Sequence, residues 1–134
     1  MKGKMEADTQ HLLNGNFRAI GNDLVYLPGF RSMLSPVFIE KVYTEDEKAY
    51  CLQFSEPTLR YASTWAAKEA VYKALKQLDP RPLGWKDIEI RRNKPAGKPE
   101  VLLRPPLHNK VISLSLSHDG DYVWAIVLIE ELRP

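Results

Sequence analysis

Residues 64 to 75 read TWAAKEAVYKAL, a helical run that sets Glu69 and Lys73 one turn apart on a face cleared by Ala66, Ala67 and Ala70. An anion and a cation on a rigid rod behind small side chains leave room for a metal and a phosphate to approach. The same spacing also fits an ordinary surface ion pair, but Trp65 and Tyr72 make this helix surface unlike the fully wetted kind that carries such pairs. Asp23 interrupts the apolar stretch FRAIGNDLVYL, where a carboxylate is disfavoured because burying it unpaired costs free energy. It either caps a neighbouring backbone amide or meets a partner or an ion. If Glu69 lies opposite, the two carboxylates repel unless a hard cation sits between them. Oxygen-only ligation suits magnesium, which keeps positions open for water and phosphate oxygens.

His118 follows Ile112, Leu114 and Leu116 on one strand face, with Ser113, Ser115 and Ser117 on the other. It is either a satisfied rim residue or, exposed beside an Asp119-Gly120 turn, a group that binds phosphate. Gly97-Lys98-Pro99 is weak by itself, since turns routinely contain these residues.

The elements that must hold these groups follow from the patterning. Residues 1 to 15 are polar except for Leu12 and Leu13 and read as a loosely held tail, leaving 16 to 134 as one domain. Phe17 to Leu27 alternates as a strand and is broken by Pro28 and Gly29. Thr44 and Glu47 form a capping box for a helix through about Phe54, and a second helix starts after Ser55 with Pro57 in its first turn. That second helix carries the TWAAKEAVYKAL run and stops at Asp79-Pro80. Lys86 to Arg92 and Lys98 to Leu103 read as one hairpin around residues 93 to 97; Lys110 to His118 and Tyr122 to Glu131 read as another. The strand YVWAIVLI, apolar on both faces, is expected at the centre of a sheet. Strand, helix, helix and four strands make an α+β domain.

Composition excludes several classes. Nineteen basic against seventeen acidic side chains give a net charge of +2, too balanced for a nucleic-acid binder. No run approaches the roughly 20 apolar residues of a membrane span. The single Cys51 and the absence of signal-peptide character point to a soluble protein of the reducing cytoplasm.

Four segments in series resemble the holo-acyl-carrier-protein synthases, the small 4'-phosphopantetheinyl transferases. They are Gly21-Asn22-Asp23-Leu24-Val25, then Trp65 to Ala74, then Gly97-Lys98-Pro99, then Ser115-Leu116-Ser117-His118, spread over residues 17 to 131. The resemblance implies transfer of the phosphopantetheine arm of coenzyme A to a serine of an apo acyl carrier protein, with release of adenosine 3',5'-bisphosphate, in fatty-acid biosynthesis. On that pattern Asp23 and Glu69 hold magnesium, and Lys68 and Lys73 neutralise phosphate oxygens. Lys98, Ser117 and His118 hold the adenine and 3'-phosphate end, and Gly97 and Pro99 belong to the coenzyme A site. Catalysis falls to Glu69, Lys73 and Asp23, with Glu69 or a metal-bound water taking the serine proton. The resemblance further implies a homotrimer with its sites at subunit interfaces. Where the family often carries an acid and then a base after the first motif, Tyr26 and Gly29 stand here, which leaves Arg31 and Lys41 as the candidate carrier-docking residues. Two other readings compete: the same chemistry on a polyketide or peptide-synthase carrier, and a non-catalytic nucleotide- or partner-binding module.

Overall fold

The computed structural model describes residues 16–92 and 98–132. The chain runs from strand β1 (Asn16–Tyr26) through helices α1 (Leu27–Met33), α2 (Pro36–Val42), α3 (Glu45–Cys51) and α4 (Pro57–Leu78). A 3-10 turn at Trp85–Asp87 then leads to β2 (Ile88–Arg91), β3 (Glu100–Leu103), β4 (Lys110–Asp119) and β5 (Tyr122–Leu132). One antiparallel sheet has the order β1-β5-β4 and the other pairs β2 with β3. The α+β class and the central place of β5 are as the patterning predicts.

Helix α4 lies along the inner face of the larger sheet. Its alanines make that approach close: Ala62, Ala66, Ala67, Ala70 and Ala74 are all fully buried. At Gly21 the packing is tightest, because a Cβ added there would run into the carbonyl oxygen of Ala70. Opposite them β5 turns Val123, Ala125, Val127 and Ile129 inward with no exposed surface. Its alternate residues Tyr122, Trp124 and Ile126 face outward, with Tyr26 paired to Tyr122, Leu24 to Trp124 and the exposed Ile20 to Leu128 further along β1.

Several boundaries differ from expectation. Pro28 does not simply end β1; it occupies the first turn of α1, where a missing N–H costs nothing. A second unpredicted helix follows, capped by the Ser35 side chain accepting from the Phe38 amide. Both are only seven residues long and are held by aromatic contacts, Phe30 on Phe38 at 6.1 Å and Phe38 on Trp65 at 5.1 Å between ring centroids. Helix α3 carries the expected capping box but ends at Cys51 rather than Phe54. The strand expected from Lys86 begins only at Ile88, because Asp87 accepts from the Gly84 amide and closes a 3-10 turn. Likewise β3 starts at Glu100 rather than Lys98. The last hairpin turns at Gly120-Asp121, one residue later than expected, with Gly120 at a φ of 56°. The tail 1–15 and the turn 93–97, which includes Gly97, lie outside the described residues.

Candidate active site

Asp23 sits on the inner-face row of β1 with Ala19 and Val25, in the wall against α4. Lys73, which reaches it from the helix, donates to Asp23 Oδ1 at 2.8 Å and to the Asn22 carbonyl at 3.2 Å. The lysine therefore bonds across to the strand instead of to Glu69 on its own helix. Asp23 and Glu69 line one hollow together with Val25, Tyr26, Phe30, Met33 and Trp65. There the Glu69 carboxyl is pushed up to about 7, by burial first and then by the charge of Asp23, while Lys73 and the Trp65 indole oppose the shift. Lys73 is raised above its ordinary range, chiefly by the hydrogen bond to Asp23.

Two carboxylates held close enough to repel form a site that a cation relieves. Among the described residues no third His, Cys, Asp or Glu joins them. A donor set of two carboxylates, without nitrogen or sulfur, fits a hard ion such as magnesium, whose remaining positions are filled by water and substrate oxygens.

Lys68 is not where the motif predicted. Its side chain is 0 % exposed, and Nζ donates to Glu47 Oε1 at 2.6 Å and to the Ile88 carbonyl. Enclosed between α3, α4 and β2, it does not reach a phosphate in the hollow. Burial pushes its pKa below the usual lysine range, against the pull of Glu47. Glu47 is equally committed, accepting from the Thr44 amide at 2.9 Å and the Ile90 amide at 2.8 Å. Removing one partner of such a buried pair costs about 3–5 kcal/mol.

The other predicted residues gather elsewhere. Lys98, Pro99, Ser117 and His118 line a cleft of about 710 Å³ beside β4, together with Arg60, Ser63 and Arg92. Among the described residues, no carboxylate lines this cleft. Arg92 is prearranged within it: its guanidinium donates to Thr64 Oγ1 at 2.9 Å and to Ser63 Oγ at 3.0 Å, and stacks 4.7 Å over the Tyr50 ring. Arg60 lies 4.1 Å over the Phe54 ring. Both arginines escaped the sequence reading. The available signal was Arg60 placed one turn before Thr64, but the partners of Arg92 lie 28 and 29 residues away and could not be read locally.

Within one chain the carboxylate hollow and the cationic cleft are separate. β5 runs between β1 and β4, which puts about 10 Å of sheet between Asp23 and the strand bearing Ser117 and His118. Arg31 and Lys41 are both exposed, on α1 and α2; α1 itself contributes Phe30 and Met33 to the carboxylate hollow.

A strand carboxylate and a helix carboxylate meet beside a lysine in one hollow, on an α+β scaffold that carries a separate cationic cleft. The chain belongs to the 4'-phosphopantetheinyl transferase superfamily, whose family model matches residues 19–127, and within it to the holo-[acyl-carrier-protein] synthases. It is 37% identical over 122 residues to the holo-[acyl-carrier-protein] synthase of Syntrophotalea carbinolica, covering 83% of this chain and 94% of that one. Among solved structures, the Chronobacterium ammoniagenes ACPS-CoA complex superposes with a TM-score of 0.74 at 30% identity, over 87% of this chain and 98% of that one. The Bacillus anthracis holo-(acyl-carrier-protein) synthase in complex with CoA (3',5'-ADP) gives 0.69 at 30% identity, over 84% and 96%.

Proposed function

We propose that this protein transfers the 4'-phosphopantetheine group of coenzyme A to a serine of an apo acyl carrier protein in a magnesium-dependent reaction that releases adenosine 3',5'-bisphosphate. The observation that carries this reading is the meeting of Asp23 and Glu69, from β1 and α4, in one hollow with Lys73 at its edge. Asp23 and Glu69 would hold magnesium there, and it would supply Lewis-acid chemistry at the pyrophosphate. Lys73, half-exposed, swings between Asp23 and the phosphate oxygens as charge moves onto the leaving group. The serine proton leaves to Glu69 or to a water beside it. Lys98, Ser117 and His118, with Arg60 and Arg92 added, hold the adenine and 3'-phosphate end in the cleft, which no acid lines among the described residues. The Chronobacterium relative was solved as a complex with CoA, which is consistent with that use.

Because the two halves of the site lie apart in one chain, the complete site forms between chains. The outer face of the sheet supplies the contact: Leu24 is 60% and Trp124 46% exposed, in a patch with Ile20, Tyr26, Tyr122 and Ile126 that a soluble monomer would not leave bare. Three copies in a ring then bring the cleft of one chain to the carboxylates of the next. Arg31 and Lys41, exposed on α1 and α2, serve as docking points for an acidic carrier helix. Among the described residues no helix is long and apolar enough to cross a membrane. A cytoplasmic place, and service to fatty-acid synthesis, follow from the chemistry proposed.

Incubation with coenzyme A, magnesium and an apo acyl carrier protein, followed by intact mass, tests the reaction: the carrier gains one phosphopantetheine group, and an unchanged carrier mass refutes the reading. Assembly has its own test. Mixing inactive Asp23→Ala with inactive His118→Ala chains restores part of the activity through hybrid rings, whereas no recovery after demonstrated subunit exchange places the site within one chain.

A further inference from the structure

We infer that Lys68 is a positioning residue: by anchoring α4 to Glu47, it fixes the roll of the helix that aims Glu69 at Asp23, and it never touches coenzyme A. This rests on the metal-site reading above. Lys68 and Glu69 are successive residues, about 100° apart around the helix, so the lysine faces α3 and β2 while the glutamate faces β1. On the side of β1 the Ala70 carbonyl is pressed against Gly21. On the opposite side Lys68 Nζ is held by Glu47 and the Ile88 carbonyl. Glu47 is itself fixed by the Thr44 and Ile90 amides, so the anchor is attached to the start of one helix and the middle of one strand.

These two contacts leave α4 little freedom to turn. A carboxylate about 5–6 Å from a helix axis moves about 1 Å for a 10° roll, and a misplacement of about that size can cost about a hundredfold in rate. A cation enclosed at 0 % exposure and bonded on two sides has no free path to a substrate. Its adjacency to Glu69 in sequence therefore serves geometry rather than charge neutralisation.

Lys68→Met and Glu47→Gln test this, each first checked for folding by thermal melt. The readouts are kcat and KM for coenzyme A, measured by transfer to the carrier, and Mn2+ binding by electron paramagnetic resonance without substrate. Both variants are expected to lower kcat and to weaken Mn2+ binding by about tenfold, as loss of an outer-shell support does, while KM for coenzyme A stays within about twofold of wild type. A tenfold rise in KM for Lys68→Met with Mn2+ binding unchanged makes the lysine a substrate contact and overturns the inference. So does a folded Glu47→Gln protein with wild-type kcat and Mn2+ binding, or failure of both variants to fold. If wild type transfers nothing yet binds Mn2+, the functional reading fails and the metal titration still decides the role of Lys68. If wild type binds no Mn2+, there is nothing to aim and both fail.

Discussion

The carboxylate hollow and the cationic cleft are built in opposite ways. Asp23, Glu69 and Lys73 stand on the middle of a strand and the middle of a long helix, where packing around Gly21 and the buried alanines leaves little adjustment. Lys98, Ser117, His118 and Arg92 stand at strand ends and rims, and the cleft owes its order to side-chain bonds such as Arg92 to Ser63 and Thr64. The contrast teaches a division of labour. On the function proposed above, a small hard ion tolerates little error in ligand position and would sit on rigid elements, whereas a large nucleotide end tolerates more and would be met by charged side chains at the sheet rim.

The largest effect should come from the rigid half. Glu69→Gln is expected to lower transfer by at least about a hundredfold while leaving the thermal melt intact, since it removes the proposed metal ligand without removing volume. Transfer at the wild-type rate by a folded Glu69→Gln protein would erase the distinction between the two halves.

A smaller loss is expected in the adaptable half. Arg92→Ala should raise KM for coenzyme A by about tenfold, the worth of about one charge-assisted hydrogen bond, with kcat nearly unchanged. Steady-state kinetics against coenzyme A concentration check this, and a fall in kcat at constant KM would move Arg92 out of the nucleotide end.

A third test sharpens the electrostatics of the hollow. With Glu69 raised to about 7, the carboxyl holds a proton at lower pH that an incoming cation must displace. Divalent-ion affinity should therefore weaken by up to about tenfold per pH unit as pH falls below that value, and level off above it. Ion titrations at several pH values measure this; an affinity flat from pH 6 to about 8 would contradict the raised value.

The rigid half was also the legible half. The alanine-lined run of α4 and the lone acid in an apolar strand are local patterns, and they led to Asp23 and Glu69, which line one hollow. The capping box at Thr44 and Glu47 was equally local. What escaped depends on distant partners. Lys68 reads as a surface cation until Glu47, 21 residues away, encloses it. Helices α1 and α2 are too short to show a period and exist because Phe30 and Phe38 find aromatic neighbours across the fold. Arg92 looked like one more charge at the end of β2, since nothing nearby in sequence announces Ser63 and Thr64.

The bare backbone at Gly21 carries one last implication. With no side chain on that residue, helix and sheet settle at the separation of two main chains in contact, and the gap across which Asp23 views Glu69 inherits that dimension. On the metal-site reading, a methyl group's worth of thickness, added at a point that touches neither carboxylate, would widen the mouth for every ion alike: the ruler that gauges the cation would be an atom left out.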